Sequence, residues 1–117
     1  MTATELQLAN AILKKVSHLT GISTVAMLTR QDGKRTPHAR RLAYLAMAET
    51  ISLVDIAAFF SRSPSNVCYA IKAASTADRA MAARWLVEVK YMRKRRKIER
   101  AFEKLKIEYA DLTEVAA

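Results

Sequence analysis

Apolar residues recur at three- and four-residue spacing through most of the chain, the stripe of an amphipathic helix, and no stretch alternates as a strand would. Leu6, Ala9, Leu13 and Val16 predict a first helix, closed by Gly21 as a C-cap. A short second helix starts at Ser23 and buries Val25 and Leu28. After a polar connector, Arg30-Gln31-Asp32-Gly33-Lys34-Arg35, Thr36 and Pro37 make an N-cap and first-turn pair. They open a third helix through about residue 49, with Leu42, Leu45 and Ala46 facing inward. Ser52 caps a helix over residues 53–60, and Ser63-Pro64 starts another to about residue 74. Ser75 and Asp78 are spaced as a variant capping box for a last helix reaching about Leu112, which at 1.5 Å per residue extends about 50 Å. The class read from this pattern is all-α.

Composition narrows the picture. A chain of 117 residues, 51% apolar, is long enough for one core without metal or disulfide staples. The one cysteine, Cys68, has no internal partner, which predicts a reducing cytoplasm. The longest apolar run, residues 42–48, is far short of the roughly 20 residues of a membrane span, and no signal-peptide pattern opens the chain. Net charge is +9, and it is unevenly placed: residues 84–106 hold ten basic side chains against three acidic ones. Such a block is either a solvated helix face or a surface for an acidic partner, of which nucleic acid is the commonest.

Residues 53–74 have helix-turn-helix spacing. Ile56 and the small Ala57 suit close packing, Phe60 closes the first helix, Ser61-Arg62-Ser63 turns, and Val67, Ala70 and Ile71 bury the second. That leaves Ser65, Asn66, Tyr69 and Lys72 outward, where the N-terminal residues of a groove-entering helix read base edges. Asn suits a bidentate contact with adenine, and Ser pairs with several bases. An ordinary helical hairpin is the plainer reading of the same spacing, since Ser61 stands where Gly is usual and Arg62 where an apolar residue is. The basic residues Arg30, Lys34, Arg35, Arg40 and Arg41 precede and open the helix before this motif, where they could straddle a phosphate backbone. Lys90, Arg93, Lys94, Arg95, Arg96 and Lys97 form an auxiliary basic patch.

Other candidates carry less. His18 and His38 lack metal-ligand company and read as surface or capping residues, Cys68 as a near-core side chain, and Trp85, Val89 and Met92 as packing. No acid–base pair, nucleophile arrangement or Gly-rich phosphate loop is present, so neither catalysis, a metal nor a cofactor is expected.

Three stretches together resemble a known family. Val16-Ser-His-Leu-Thr-Gly-Ile-Ser, Ala39-Arg-Arg-Leu-Ala-Tyr-Leu-Ala and Ser52-Leu-Val-Asp-Ile-Ala-Ala-Phe-Phe-Ser-Arg-Ser resemble, in order and spacing, the C-terminal DNA-binding domain of the bacterial replication initiator DnaA, over about residues 10–76. The resemblance implies a helix-turn-helix domain over residues 1–76 that binds duplex DNA in the major groove, with an arginine of the basic loop in the adjacent minor groove. Residues 77–117 then form a long basic C-terminal helix that packs on it and projects. By position, the resemblance puts Arg40 on a phosphate and Leu53 and Val54 at the start of the motif. Ser63, Pro64, Ser65 and Asn66 fall on the base-reading tetrad, with Tyr69 beyond it. Arg62 and Lys72 complete the backbone-facing set. Two departures stand out. The family's tetrad is Asp-His-Thr-Thr, and Asp32 falls near the place of the minor-groove arginine, leaving Arg30, Lys34 or Arg35 to serve.

The function expected is therefore a sequence-specific duplex-DNA-binding transcription regulator, bacterial and nucleoid-associated. Small proteins of this kind resemble regulators of phage-like elements, including activators of gene transfer agents that work beside a sigma-like factor or RNA polymerase. The alternatives are a modulator of replication initiation that competes at origin sites and a basic-helix module for protein or RNA. Ile98, Phe102, Leu105, Tyr109 and Leu112 form a heptad-like seam whose phase differs from that of Trp85, Val89 and Met92. The seam predicts a partner protein or a homodimer.

Overall fold

The computed structural model describes residues 1–29 and 33–116, and the described residues form six helices and no strand. They are α1 (Ala3–Thr20), α2 (Thr24–Leu28), α3 (Thr36–Ala48), α4 (Leu53–Phe59), α5 (Pro64–Lys72) and α6 (Thr76–Ala116). Short polar side chains set most of the boundaries. The Glu5 amide donates to the Thr2 hydroxyl at 3.1 Å and the Thr2 amide to the Glu5 carboxylate at 3.0 Å, a complete capping box. Gly21, at φ +76, ends α1 in the left-handed conformation that costs a glycine nothing. Ser23, Ser52 and Ser63 cap α2, α4 and α5 by accepting from the amides of Ala26, Asp55 and Asn66. At the head of α6 the Asp78 amide donates to the Ser75 hydroxyl at 3.1 Å, and the Ser75 amide to the Asp78 carboxylate at 3.5 Å.

The third helix is the centre of the fold and packs on all five others. Ala39, Ala43 and Ala46 let its neighbours come close, and Leu42, Tyr44 and Met47 fill the space between. Leu8, Ile12, Leu13 and Val16 of α1 close one side. Ile56, Phe60 and Val67 of the α4–α5 pair close another, with Tyr44 edge-on to Phe60 at 4.8 Å between ring centres. Each of these larger side chains, once buried, contributes about 1.5–3 kcal/mol.

Three expectations about burial fail, each for a local reason. Leu6 is 46% exposed, because the buried stripe of α1 runs through Leu8, Ala9, Ile12, Leu13 and Val16 instead. Val25 and Leu28 are exposed and Met27 is fully buried: α2 has five residues, too few to show a period. Thr36 is the first residue of α3 rather than its cap, and its buried hydroxyl accepts from the Gly33 amide at 3.3 Å.

The turn after α4 is a Schellman motif. Ser61 sits at φ +53, its amide donates to Ala58, and the Arg62 amide donates to Ala57 at 2.8 Å. A serine thus holds the left-handed position where glycine is usual. In α6, Ala82, Leu86 and Val89 are buried against α1 and α3, with Trp85 half-buried beside them. From Lys94 to Leu112 every side chain is exposed, and the helix accounts for the molecule's 65 × 25 × 25 Å extents.

Arg40 ties two of these parts together. It is 5% exposed, and its guanidinium donates to the carbonyls of Met27 at 2.9 Å, Ala26 at 3.0 Å and Thr29 at 2.6 Å. These lie at the end of α2, so α3 holds the end of α2 through Thr29 by charge-assisted hydrogen bonds. Arg40→Met should cost about 2–4 kcal/mol in urea unfolding, because it leaves buried carbonyls unpaired. Arg40→Lys should restore only part of this, lacking the planar fork.

A second tie joins α3 to α6, where the His38 Nε2–H donates to Asp78 at 2.8 Å. The imidazole hydrogen bond first, and the Ser75 contacts after it, hold the Asp78 carboxyl below its ordinary value of 3.8, against a smaller opposing effect of burial. A carboxylate with a depressed folded pKa stabilises above its unfolded pKa and loses that contribution as pH falls through the folded one. Asp78→Ala should therefore cost about 1 kcal/mol at pH 7, the usual worth of a helix cap. The gap between the two proteins should close as pH drops below the ordinary aspartate range; a gap independent of pH would contradict this assignment.

Candidate nucleic-acid interface

The outer face of α5 is built by its cap and its burial pattern. Val67 points into the core and Ala70 and Ile71 lean on it, so the helix can rotate only one way. Ser65, Asn66, Tyr69 and Lys72 are left exposed on the opposite face, Tyr69 by 75%. The backbone amide of Asn66 is taken by the Ser63 hydroxyl at 3.2 Å, while its side-chain amide makes no hydrogen bond to the described residues. Pro64, in the first turn, has no N–H to offer. Of the tetrad at residues 63–66, Ser65 and Asn66 thus present free polar side chains, while the Ser63 hydroxyl oxygen is already engaged as a cap. Leu53 and Val54, 38% and 64% exposed, lie at the head of α4.

The cations expected on a backbone divide into three groups. Lys34, Arg35 and Lys72 are exposed, with one Arg35 nitrogen donating to the Thr20 carbonyl at 2.8 Å. Arg62 is half-buried and donates to the Thr29 carbonyl at 3.2 Å, which brings the turn before α5 against the end of α2. Arg40 does not belong to the surface at all. Its placement on a phosphate is corrected: the guanidinium is buried and donates to the carbonyls of Ala26, Met27 and Thr29, so it holds the end of α2 rather than facing a phosphate backbone. Arg41 is half-buried too, with its Nε enclosed and unpartnered, and is not a free phosphate contact. Arg30 and Asp32 lie outside the described residues.

On α6, Lys90, Lys94, Arg95, Arg96 and Lys97 are exposed, Arg95 pairing with Glu99 at 3.0 Å. Arg93 is half-buried and donates to Gln7 of α1 at 3.4 Å. Lys15 of α1 pairs with Glu88 at 3.0 Å. Moving from residue 15 to 7 on α1 goes with moving from 88 to 93 on α6, so the two helices are antiparallel and enclose a groove. Lys14, Lys15, His18, Glu88, Arg93 and Arg96 are among its lining residues. The part played by α1 in this basic surface was not legible beforehand. Lys14, Lys15 and His18 share the face away from the α1 core stripe, but nothing in the sequence indicates that α6 lies alongside.

Ile98, Phe102, Leu105, Tyr109 and Leu112 are each 57% exposed or more and pack on no other helix. Cys68 is half-buried and free. His38 serves as the α3–α6 link already described. Among the described residues no three His, Cys, Asp or Glu side chains are grouped as a metal site, and no helix is long and apolar enough to cross a membrane.

Comparison with protein-family models, curated proteins and solved structures finds no match to this chain.

Proposed function

We propose that the chain is a sequence-specific duplex-DNA-binding protein that regulates transcription. In this reading α4, the Ser61 turn and α5 act as a helix-turn-helix of the kind found in the C-terminal domain of DnaA. The observation that carries it is the outer face of α5, where Ser65 and the unengaged Asn66 amide stand at the N-terminal turn, with Tyr69 and Lys72 further along. Asn66 supplies the donor–acceptor pair that adenine offers in the major groove, and Ser65 adds a hydroxyl. Lys34, Arg35, Arg62 and Lys72 supply backbone contacts, which set register and carry no base information. The departure at Ser63 and Pro64 from the family's tetrad gives this protein a preferred sequence different from that of the initiator. The exposed seam of α6 favours recruitment of a partner protein, a sigma-like factor or RNA polymerase, or pairing with a second copy, over a role confined to occupying DNA.

Binding is best followed by fluorescence anisotropy on a duplex selected from a random library and on a random duplex. With Lys34, Arg35, Arg62 and Lys72 on roughly four phosphates, log K should fall against log salt with a slope of about −3 to −4 on both duplexes. A slope near zero, or a preference for RNA, contradicts the proposal. Asn66→Ala should lose about 1–3 kcal/mol on the selected duplex and little on the random one. Lys34→Ala should weaken both by similar factors. Equal losses for the two variants on both duplexes would remove the base-reading role of α5.

A further inference from the structure

Residues 84–106 of α6 hold ten lysines and arginines, whereas α5 holds only Lys72. The first and fifth helices both pack on α3 and have no substantial packing with each other. On α3, Tyr44 meets Phe60 and Leu45 and Ala48 lie beside Ile71 of α5, while Ala39, Ala43 and Ala46 lie on the opposite side of the helix. The α1–α6 groove is lined by residues of α1 and α6 and by none of α5.

The groove is a strongly basic surface with little to neutralise it. Lys14, His18, Arg93 and Arg96 line it, and Lys97 and Arg100 continue it along α6 past Gln7. Its one acidic lining residue, Glu88, is already paired with Lys15 at 3.0 Å and with Arg84 at 3.3 Å. Lys14, Arg96, Lys97 and Arg100 make no ion pair among the described residues. These cations come from two antiparallel helices and line one channel along the groove, which is open at its surface. Like charges held this close repel one another, and an extended polyanion laid along the groove removes that repulsion while releasing counterions. A phosphate backbone fits this demand: it is continuous, evenly charged and needs no shaped pocket.

We propose that the α1–α6 groove is a second, sequence-independent site for the duplex-DNA backbone, so that one molecule holds two DNA segments, one on α5 and one in the groove. This rests on the reading of α5 as a DNA-binding helix and adds a bridging activity to it. The groove then adds attachment of a second duplex to the base selection and backbone contacts of the α5 face. Residues 90–97 are thereby divided: Arg93, Arg96 and Lys97 serve the groove rather than the duplex on α5.

The test is capture of one duplex by another. The selected duplex is fixed to beads through biotin, the full-length protein is added, and retention of a fluorescent random duplex is measured at low salt. The wild-type chain should retain it, and retention should fade steeply as salt rises. The triple variant Lys14→Gln, Arg96→Gln, Lys97→Gln alters exposed side chains without partners, in residues that favour helix, so the fold is kept. It should bind the selected duplex as tightly as wild type at moderate salt and retain about tenfold less of the second duplex. Retention unchanged in this variant, or absent with wild type, overturns the second site. The two readings fail differently. If wild type binds the selected duplex with the expected Asn66 dependence and retains no second one, only the groove assignment falls. If it binds neither duplex, the DNA reading falls with it. Competition of the captured duplex by single-stranded RNA at far lower concentration than by duplex also overturns the proposal.

Discussion

A single backbone carbonyl, that of Thr29, accepts hydrogen bonds from two guanidiniums, Arg40 at 2.6 Å and Arg62 at 3.2 Å. The seating of α2 on α3, and of the turn before α5 beside it, depends on this junction. Arg40 comes from the central helix and also holds the carbonyls of Ala26 and Met27, so the end of α2 is fixed to α3. Arg62 comes from the turn between α4 and α5. The end of α2 and the turn leading into the helix that carries Asn66 are thereby held together, although 33 residues separate Thr29 from Arg62. Buried arginine is costly unless its donors are satisfied, and here the freed carbonyls at a helix end satisfy them. The same groups that a five-residue helix leaves unpaired are the ones the arginine needs.

Much of this was legible in the sequence because caps are local. Ser52, Ser63, Gly21 and the Ser75–Asp78 pair each act within three or four residues, so their spacing alone fixes where helices begin and end. The outward set Ser65, Asn66, Tyr69 and Lys72 was legible for the same reason, since one buried valine and a helical period define the opposite face. What could not be read depends on contacts far apart in the chain. Arg40 looks like any surface cation in the run Ala39-Arg40-Arg41-Leu42; only the arrival of α2 over it explains its burial. Met27 took the place of Val25 and Leu28 because one helical turn has no period to read. The α1–α6 groove arises from packing between residues about 80 apart, and no local signal encodes it.

Charge and core are organised by the same helix. The central α3 is buried on nearly all sides, and its small residues bring α1, α5 and α6 close around it. The polar faces of those helices are therefore turned outward in different directions. One carries a few polar groups suited to discrimination, another a dense row of cations suited to attachment. The far half of α6 continues the cations and exposes an apolar seam as well. A helix 41 residues long gains most of its stability from burial of such a face, and its outer half leaves that face unburied.

The central claim is that α5 meets the bases while the connector and the turn at Arg62 meet the backbone. Amide chemical-shift mapping on the full chain, titrated with its selected duplex, tests this most directly. The account predicts the largest changes at residues 34–35, 53–54 and 62–72, with the Asn66 side-chain amide among the most shifted resonances. Changes confined to α6, with residues 62–72 unmoved, would contradict it.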